Sequence, residues 1–173
     1  MKWSLFALLL GFGIDLLLGD PHTGLHPVVV IGRLISALER LFRRLFPKTP
    51  RAERAAGACL WVLTALIATA LPALTLAVCM RVSVWLRLAV ESVMCWQILA
   101  IRSLRDESMK VYAALRSGSL EDARRAVSMI VGRDTACLDA DGVTRAAVET
   151  VAENTSDGVV APLFYLAIGG APL

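Results

Sequence analysis

The sequence predicts an all-α fold: a polytopic transmembrane helix bundle with helical loops on the cytoplasmic side. Three observations predict it. Hydrophobic residues make up 57% of the 173-residue chain, and mean hydropathy is +0.64. A soluble domain stays nearer half apolar. The excess is gathered into blocks close to the roughly 20 residues that one bilayer crossing requires. The segments between the long blocks are rich in arginine and lysine, as cytoplasmic loops are.

The spans are expected at about 3–19, 57–80, 82–101 and 158–173. Asp15 is the one charge in the first block, and the second has none. Arg87 and Glu91 fall in the third, one helical turn apart, where they can neutralise each other near the outer interface. The fourth holds 16 residues at the end of the sequence, so the chain is expected to be a single membrane domain over 1–173 that is incomplete. Met1-Lys2 followed by an apolar run looks like a signal peptide, but no small-residue cleavage site follows, which favours a retained helix.

Charge sets the expected topology. Segment 20–56 carries seven basic residues and segment 102–157 carries eight, the latter with ten acidic ones. Both are expected on the cytoplasmic face of the cell (inner) membrane, with the turn near Arg81 outside. The formal net charge of +3 is too small for a nucleic-acid partner, and no aromatic-basic interleaving supports one. Four cysteines without a CxxC pair argue against a zinc or disulfide framework.

The connecting segments read as helices too. Leu34, Ile35, Leu38, Leu41, Phe42, Leu45 and Phe46 recur at helical spacing, so 33–46 is expected to be a basic amphipathic helix, lying in the interface or packed on its neighbours. Pro47 and Pro50 end it. Pro72 should kink the second span. The third helix is expected to continue unbroken past Ile101 to Gly118. Ser119 is an N-cap signature for a short helix to about Val131. Asp139 or Asp141 should start another, ending near 153–158 at the run Glu153-Asn154-Thr155-Ser156-Asp157-Gly158.

Three polar clusters can hold chemistry. They are 19–28, with His22 and His26; Gly132-Arg133-Asp134-Thr135; and Glu149 with 153–162. Glu149 and Glu153 share a helix face. Like charges at that spacing repel mildly, which points to a cation or a basic partner, unless the face is simply solvated beside Arg145. Carboxylates suit Mg²⁺. His22 and His26 sit among Pro21, Gly24 and Pro27, so the helical zinc arrangement of two histidines four apart fails, and His22 reads as structural. Neither a P-loop nor a dinucleotide-binding glycine loop is present.

The ordered set resembles the CobD/CbiB family, adenosylcobinamide-phosphate synthase of cobalamin biosynthesis. The matching pieces are Asp15 to Asp20-Pro21, His26-Pro27-Val28, Ile31-Gly32-Arg33 and Gly132-Arg133-Asp134-Thr135. They continue with Glu149 to Ala152-Glu153-Asn154, Ser156-Asp157-Gly158 and Ala161-Pro162-Leu163-Phe164-Tyr165. The match is to the N-terminal half of the family. The resemblance implies ATP-dependent formation of an amide between the carboxylate of a corrinoid, (adenosyl)cobyric acid, and aminopropanol or its phosphate, with ATP and Mg²⁺ required. It implies Asp134, Glu153 and Asp157 as catalytic or Mg²⁺-binding carboxylates, and His26, Arg33, Arg133, Asn154 and Ser156 as substrate-binding groups. Expected partners are membrane lipid, the corrinoid and its amine co-substrate, and the missing C-terminal half or other cobalamin-assembly enzymes. The competing classes are a transporter using Asp15 and Glu91, or a scaffold without catalysis. Against a transporter, the polar motifs lie outside the apolar blocks rather than near the midplane.

Overall fold

The computed structural model describes residues 2–20 and 26–172. Among these every regular element is helical: α1 (Lys2–Leu18), α2 (Pro27–Leu45), α3 (Pro50–Val82), α4 (Val84–Ile98), α5 (Ile101–Arg116), α6 (Leu120–Ser128), α7 (Ala140–Thr155), a π-helical turn (Ser156–Val160) and α8 (Ala161–Gly169). Two stretches of the described residues, Pro50–Val82 and Val84–Arg116, are long and apolar enough to cross a membrane. The 33 residues of α3 reach roughly 50 Å, and Trp61, Leu66, Leu71 and Leu74 on it are all exposed. Its length and its exposed apolar side chains are those of a candidate membrane-spanning helix.

Helices α1 and α4 form the tightest pair. Ala7, Gly11 and Asp15 recur every four residues on α1 and are buried, with Gly11 against Ser92 and Cys95 of α4 and Ala7 in the same core as Cys95. A Cβ on Gly11 would sit 2.7 Å from Cys95 Cβ and 2.8 Å from the Ser92 carbonyl oxygen, so the approach requires glycine. Small residues at such spacing let membrane helices meet backbone to backbone. Leu99, Leu166 of α8 and Ala171 complete this core. A second core joins Val111, Ala123, Val127, Val143 and Ala146, from α5, α6 and α7.

The third expected span does not continue unbroken to Gly118. The helix stops at Leu99–Ala100 and restarts at Ile101. The cause lies on α1: Asp15 Oδ2 accepts from the backbone N–H of Ile101 (3.0 Å) and of Arg102 (3.4 Å), so a carboxylate from another helix caps α5. The bond is returned, because the Arg102 guanidinium donates to the carbonyls of Leu16 and Leu17 at the C-terminal end of α1. Trp96 Nε1 donates to the Gly19 carbonyl (2.8 Å), and Asp20 N–H donates to Ser103 Oγ (3.0 Å).

Two further expectations are corrected. Helix α2 begins at Pro27, not near Arg33. Proline is favoured at the first helical position, where its missing N–H costs nothing, and His26 Nδ1 accepts from Val28 N–H (3.3 Å) to cap the turn. The helix expected to end within 153–158 runs on instead, so α7, the π turn and α8 make one rod of about 45 Å from Ala140 to Gly169. Pro162 accounts for the π turn. It has no N–H to give, and its ring would strike the Gly158 carbonyl in a regular α-helix. Widening to i→i−5 bonding, seen where Ala161 N–H reaches the Ser156 carbonyl, relieves the clash. Ser119 and Asp139 do cap α6 and α7, accepting from Asp122 N–H (3.3 Å) and Gly142 N–H (2.7 Å). Substituting Asp15→Ala should cost about 2 kcal/mol, against about 1 kcal/mol for Ser119→Ala, because only the first strands partly buried donors. Loss of helical circular dichroism on titration with denaturing detergent measures both; equal stability of Asp15→Ala and the parent chain would contradict the assignment.

Candidate functional site

The Gly132–Thr135 turn is built from below by two groups. Thr135 is buried, and its Oγ1 donates to the Arg124 carbonyl (3.2 Å), while Arg124 Nε donates to the Leu138 carbonyl (2.6 Å). Asp134 Oδ1 accepts from Ala136 N–H (2.9 Å), tightening the turn locally. Arg133 is thereby thrown outward to α7, where its guanidinium meets Glu149 Oε2 at 2.9 Å. Both side chains are more than half exposed, so the pair contributes at most about 1 kcal/mol. It orients the guanidinium rather than holding the fold. Arg145, the neighbour expected for Glu149, is not its partner in this arrangement.

Around the pair opens a polar cleft of about 370 Å³, lined by Ile130–Arg133 on one side and by Glu149, Thr150, Glu153 and Asn154 on the other. One turn further along the rod, Asp157 faces a different space. That cavity, about 620 Å³, lies between α2, α3, α4 and α8; Pro27, Val30 and Leu34, Leu71 and Pro72, and Pro162 and Tyr165 line it together with Asp157. Its walls are apolar, and Asp157 is the charged group among its described lining residues. The rod therefore links the three sequence clusters. Its first part faces the Gly132–Thr135 turn, and its later part faces the start of α2.

The sequence-predicted residues distribute as follows. Arg133, Glu153 and Asn154 share the polar cleft. Asp157 lines the apolar cavity, with Ser156 exposed beside it. Asp134 lies on the turn outside both linings. Among the described residues no group of three histidine, cysteine, aspartate or glutamate side chains could hold a metal ion, so Asp134, Glu153 and Asp157 do not form a three-carboxylate cage. The rod carries Glu153 and Asp157 toward different spaces, while the Asp134 carboxylate is turned to its own backbone. Arg33 is exposed on α2, on the flank next to Val30 and Leu34. His26 Nε2 lies 2.9 Å from Asp20 Oδ1. This contact ties the end of α1 to the start of α2. His22 lies outside the described residues.

Sequence reasoning missed Arg124, Ser103 and Trp96. Nothing local marks them, since each acts across a distance in sequence. Asp15 and Glu91, the ion-path residues of a transporter, both have structural partners. Asp15 caps α5. Glu91 is buried beside Arg87 (3.4 Å) and against Gly170, where a Cβ would come within 2.6 Å of Glu91 Oε1.

Comparison with known proteins assigns the chain to a family. A family model described as CobD/Cbib protein matches residues 8–173. The chain belongs to the CobD/CbiB family. A Geobacter metallireducens relative named cobalamin biosynthesis protein CobD is 48% identical over 160 residues, 92% of this chain and 49% of that protein. A Photorhabdus laumondii relative of the same name is 44% identical over 98% of this chain and 53% of its own length. A Salmonella arizonae protein named cobalamin biosynthesis protein CbiB is 39% identical over the same shares. The chain thus spans about half the length of the curated relatives it matches. No solved structure matches it. For the family's Gly132–Thr135 turn the structure makes a direct prediction. A double-mutant cycle on Arg133→Ala and Glu149→Ala should give a coupling energy below about 1 kcal/mol in thermal unfolding; coupling of several kcal/mol would mean that the pair is desolvated.

Proposed function

We propose that this chain forms one wall of the active site of an ATP-dependent amide-forming ligase in cobalamin biosynthesis. The enzyme would join the carboxylate of (adenosyl)cobyric acid to aminopropanol or its phosphate. The observation that carries the reading is the placement of Glu153 and Asp157. They lie one turn apart on a single rod, one in a polar cleft with Arg133 and Asn154, the other in an apolar cavity. A corrinoid has both a broad apolar periphery and ionised side chains. The paired spaces match those two characters.

A carboxylate resists attack by an amine until one oxygen is made a leaving group, as in an acyl phosphate. The amine must also be neutral. ATP supplies the phosphoryl group for that activation, and Mg²⁺ would neutralise phosphate charge. The donor set fits a Mg²⁺ ion of the kind held by one or two carboxylates together with phosphate oxygens: Glu153 is the carboxylate in the cleft not engaged by Arg133. Arg133 offers a planar fork to a single phosphoryl or propionate group. It is the one cation among the described residues lining the cleft, too few for a triphosphate tail. The further nucleotide-binding groups would come from sequence equivalent to the relatives' second half. In this reading Asp157 takes a proton from the ammonium of the co-substrate, and the neutral amine then attacks the acyl carbon, forming the C–N bond as the C–O bond to phosphate breaks. Asn154 and Ser156 orient substrate, and Arg33 receives an anionic edge of the corrinoid over the start of α2. Asp134 acts through its second oxygen, the first being bound to Ala136 N–H. His26 shapes the pocket by fixing the start of α2.

The same reading sets the chain in the inner membrane as a multi-pass protein with 20–56 and 102–157 in the cytoplasm. Cysteines introduced at positions 33 and 157, in a chain freed of its own four, should both react with an impermeant maleimide only after the inner face is opened. Labelling of the two from opposite faces would end the account. Glu153→Gln and Asp157→Asn, made in the protein that carries this chain, should each lower cobinamide formation on the order of 100-fold with unchanged membrane yield. Full activity in both variants would exclude the proposed roles.

A further inference from the structure

The elbow between α2 and α3 belongs to neither space described above. A third cavity, about 790 Å³, opens between these helices. Its apolar wall includes Phe42 and Phe46, whose rings meet at 64° with centroids 5.7 Å apart, and Leu60 on α3. Arg43 and Lys48 stand at its edge. The uncharged stretch of α3 begins at Ala55, so the cavity straddles the level at which the chain passes from charged to apolar. In a bilayer that level is the boundary between headgroups and acyl chains.

Charge is concentrated here. Residues 26–56 hold seven basic and two acidic side chains, a net charge of +5, whereas the whole chain carries +3. Arg33, Arg40 and Arg44 recur at i, i+7 and i+11, a row along one flank of α2, and all are exposed. Arg51 and Arg54 stand exposed on the first turns of α3. Both acids face the cavity. Glu39 is paired with Arg43 at 2.6 Å, Glu53 shares the lining with Lys48, and the surplus of positive charge lies just outside the cavity, on Arg51 and Arg54 and along the basic flank of α2.

We propose that the α2–α3 elbow is a binding site for an anionic phospholipid. Its phosphate lies at Arg43 and Lys48, and an acyl chain lies along Phe42, Phe46 and Leu60. The proposal rests on α3 crossing the bilayer, not on the ligase reading, so either can fail alone. An amphipathic helix with a basic flank is the form such sites take, and each basic side chain near an anionic surface strengthens binding several-fold.

The test uses the full 173-residue chain, purified in detergent and stripped of lipid. Native mass spectrometry then counts molecules retained on titration with phosphatidylglycerol, phosphatidylethanolamine or phosphatidylcholine. Phosphatidylglycerol should be retained in preference to both others. The double variant Arg43→Gln/Lys48→Gln should weaken it on the order of tenfold or more, while the charge-matched control Arg116→Gln/Arg125→Gln should leave it unchanged. Circular dichroism confirms equal helix content in the variants compared. Equal retention of phosphatidylglycerol and phosphatidylcholine, or preference for phosphatidylethanolamine, would overturn the proposal. So would equal loss in the control pair, or displacement of the lipid by millimolar inorganic phosphate.

Discussion

Asp15 and Arg102 exchange caps, and most of the architecture follows from that exchange. A carboxylate buried on α1 supplies the acceptor that the first turn of α5 lacks, and an arginine of that turn satisfies the carbonyls left open where α1 ends. Each helix end offers the charge that the other's dipole prefers. Because both ends are fixed at one point, α4 and α5 must meet at a break instead of continuing as one rod. That break separates the core of α1, α4 and α8 from the core of α5, α6 and α7. Gly19, Trp96 and Ser103 extend the same junction with hydrogen bonds to and from the segment leaving α1.

The long rod of α7, the π turn and α8 spans both cores. Val143 and Ala146 pack in one, and Leu166 in the other. Polar groups on the rod between these anchors are held by packing at each end, which is how a rigid element positions a site more closely than a free loop does. The Gly132–Thr135 turn is fixed against the rod by Thr135 and Arg124 beneath it, leaving Arg133 free to orient outward. The start of α2 reaches the rod from the other side, held by the contact between His26 and Asp20. Motifs more than a hundred residues apart in sequence thus approach one helix.

How much of this could be read in the chain depended on how local the cause was. The cap at Ser119 was legible, and that of α7 was narrowed to Asp139 or Asp141, because capping is decided within four residues. The apolar stretch of α3 was legible from composition alone. The shared face of Glu149 and Glu153 followed from helical spacing. The break at Leu99–Ala100 was not legible, since the group that causes it lies 86 residues away in sequence. Helix α2 was expected to start too late because its apolar periodicity was weighed more heavily than the proline at its first position. The end expected for α7 was misplaced for a related reason. A run of polar residues reads like the end of a helix, whereas here it is the exposed side of one, and Pro162 is the sign of a wider turn. The division of the candidate residues between a polar cleft and an apolar cavity lay beyond reach, because it depends on which helix packs opposite each side chain.

The π turn has a consequence for how this segment can change. A helix bonded i→i−5 over one turn holds one residue more than its rise requires, and the helices on either side keep the orientation they would have without it. The surplus residue is stored in the bulge instead of rotating everything downstream by roughly 100°. Leu166 can therefore keep its place in the apolar core while Asp157 is turned toward the start of α2. Such a bulge gives the chain a place to alter polar chemistry while the packing around Leu166 stays constant.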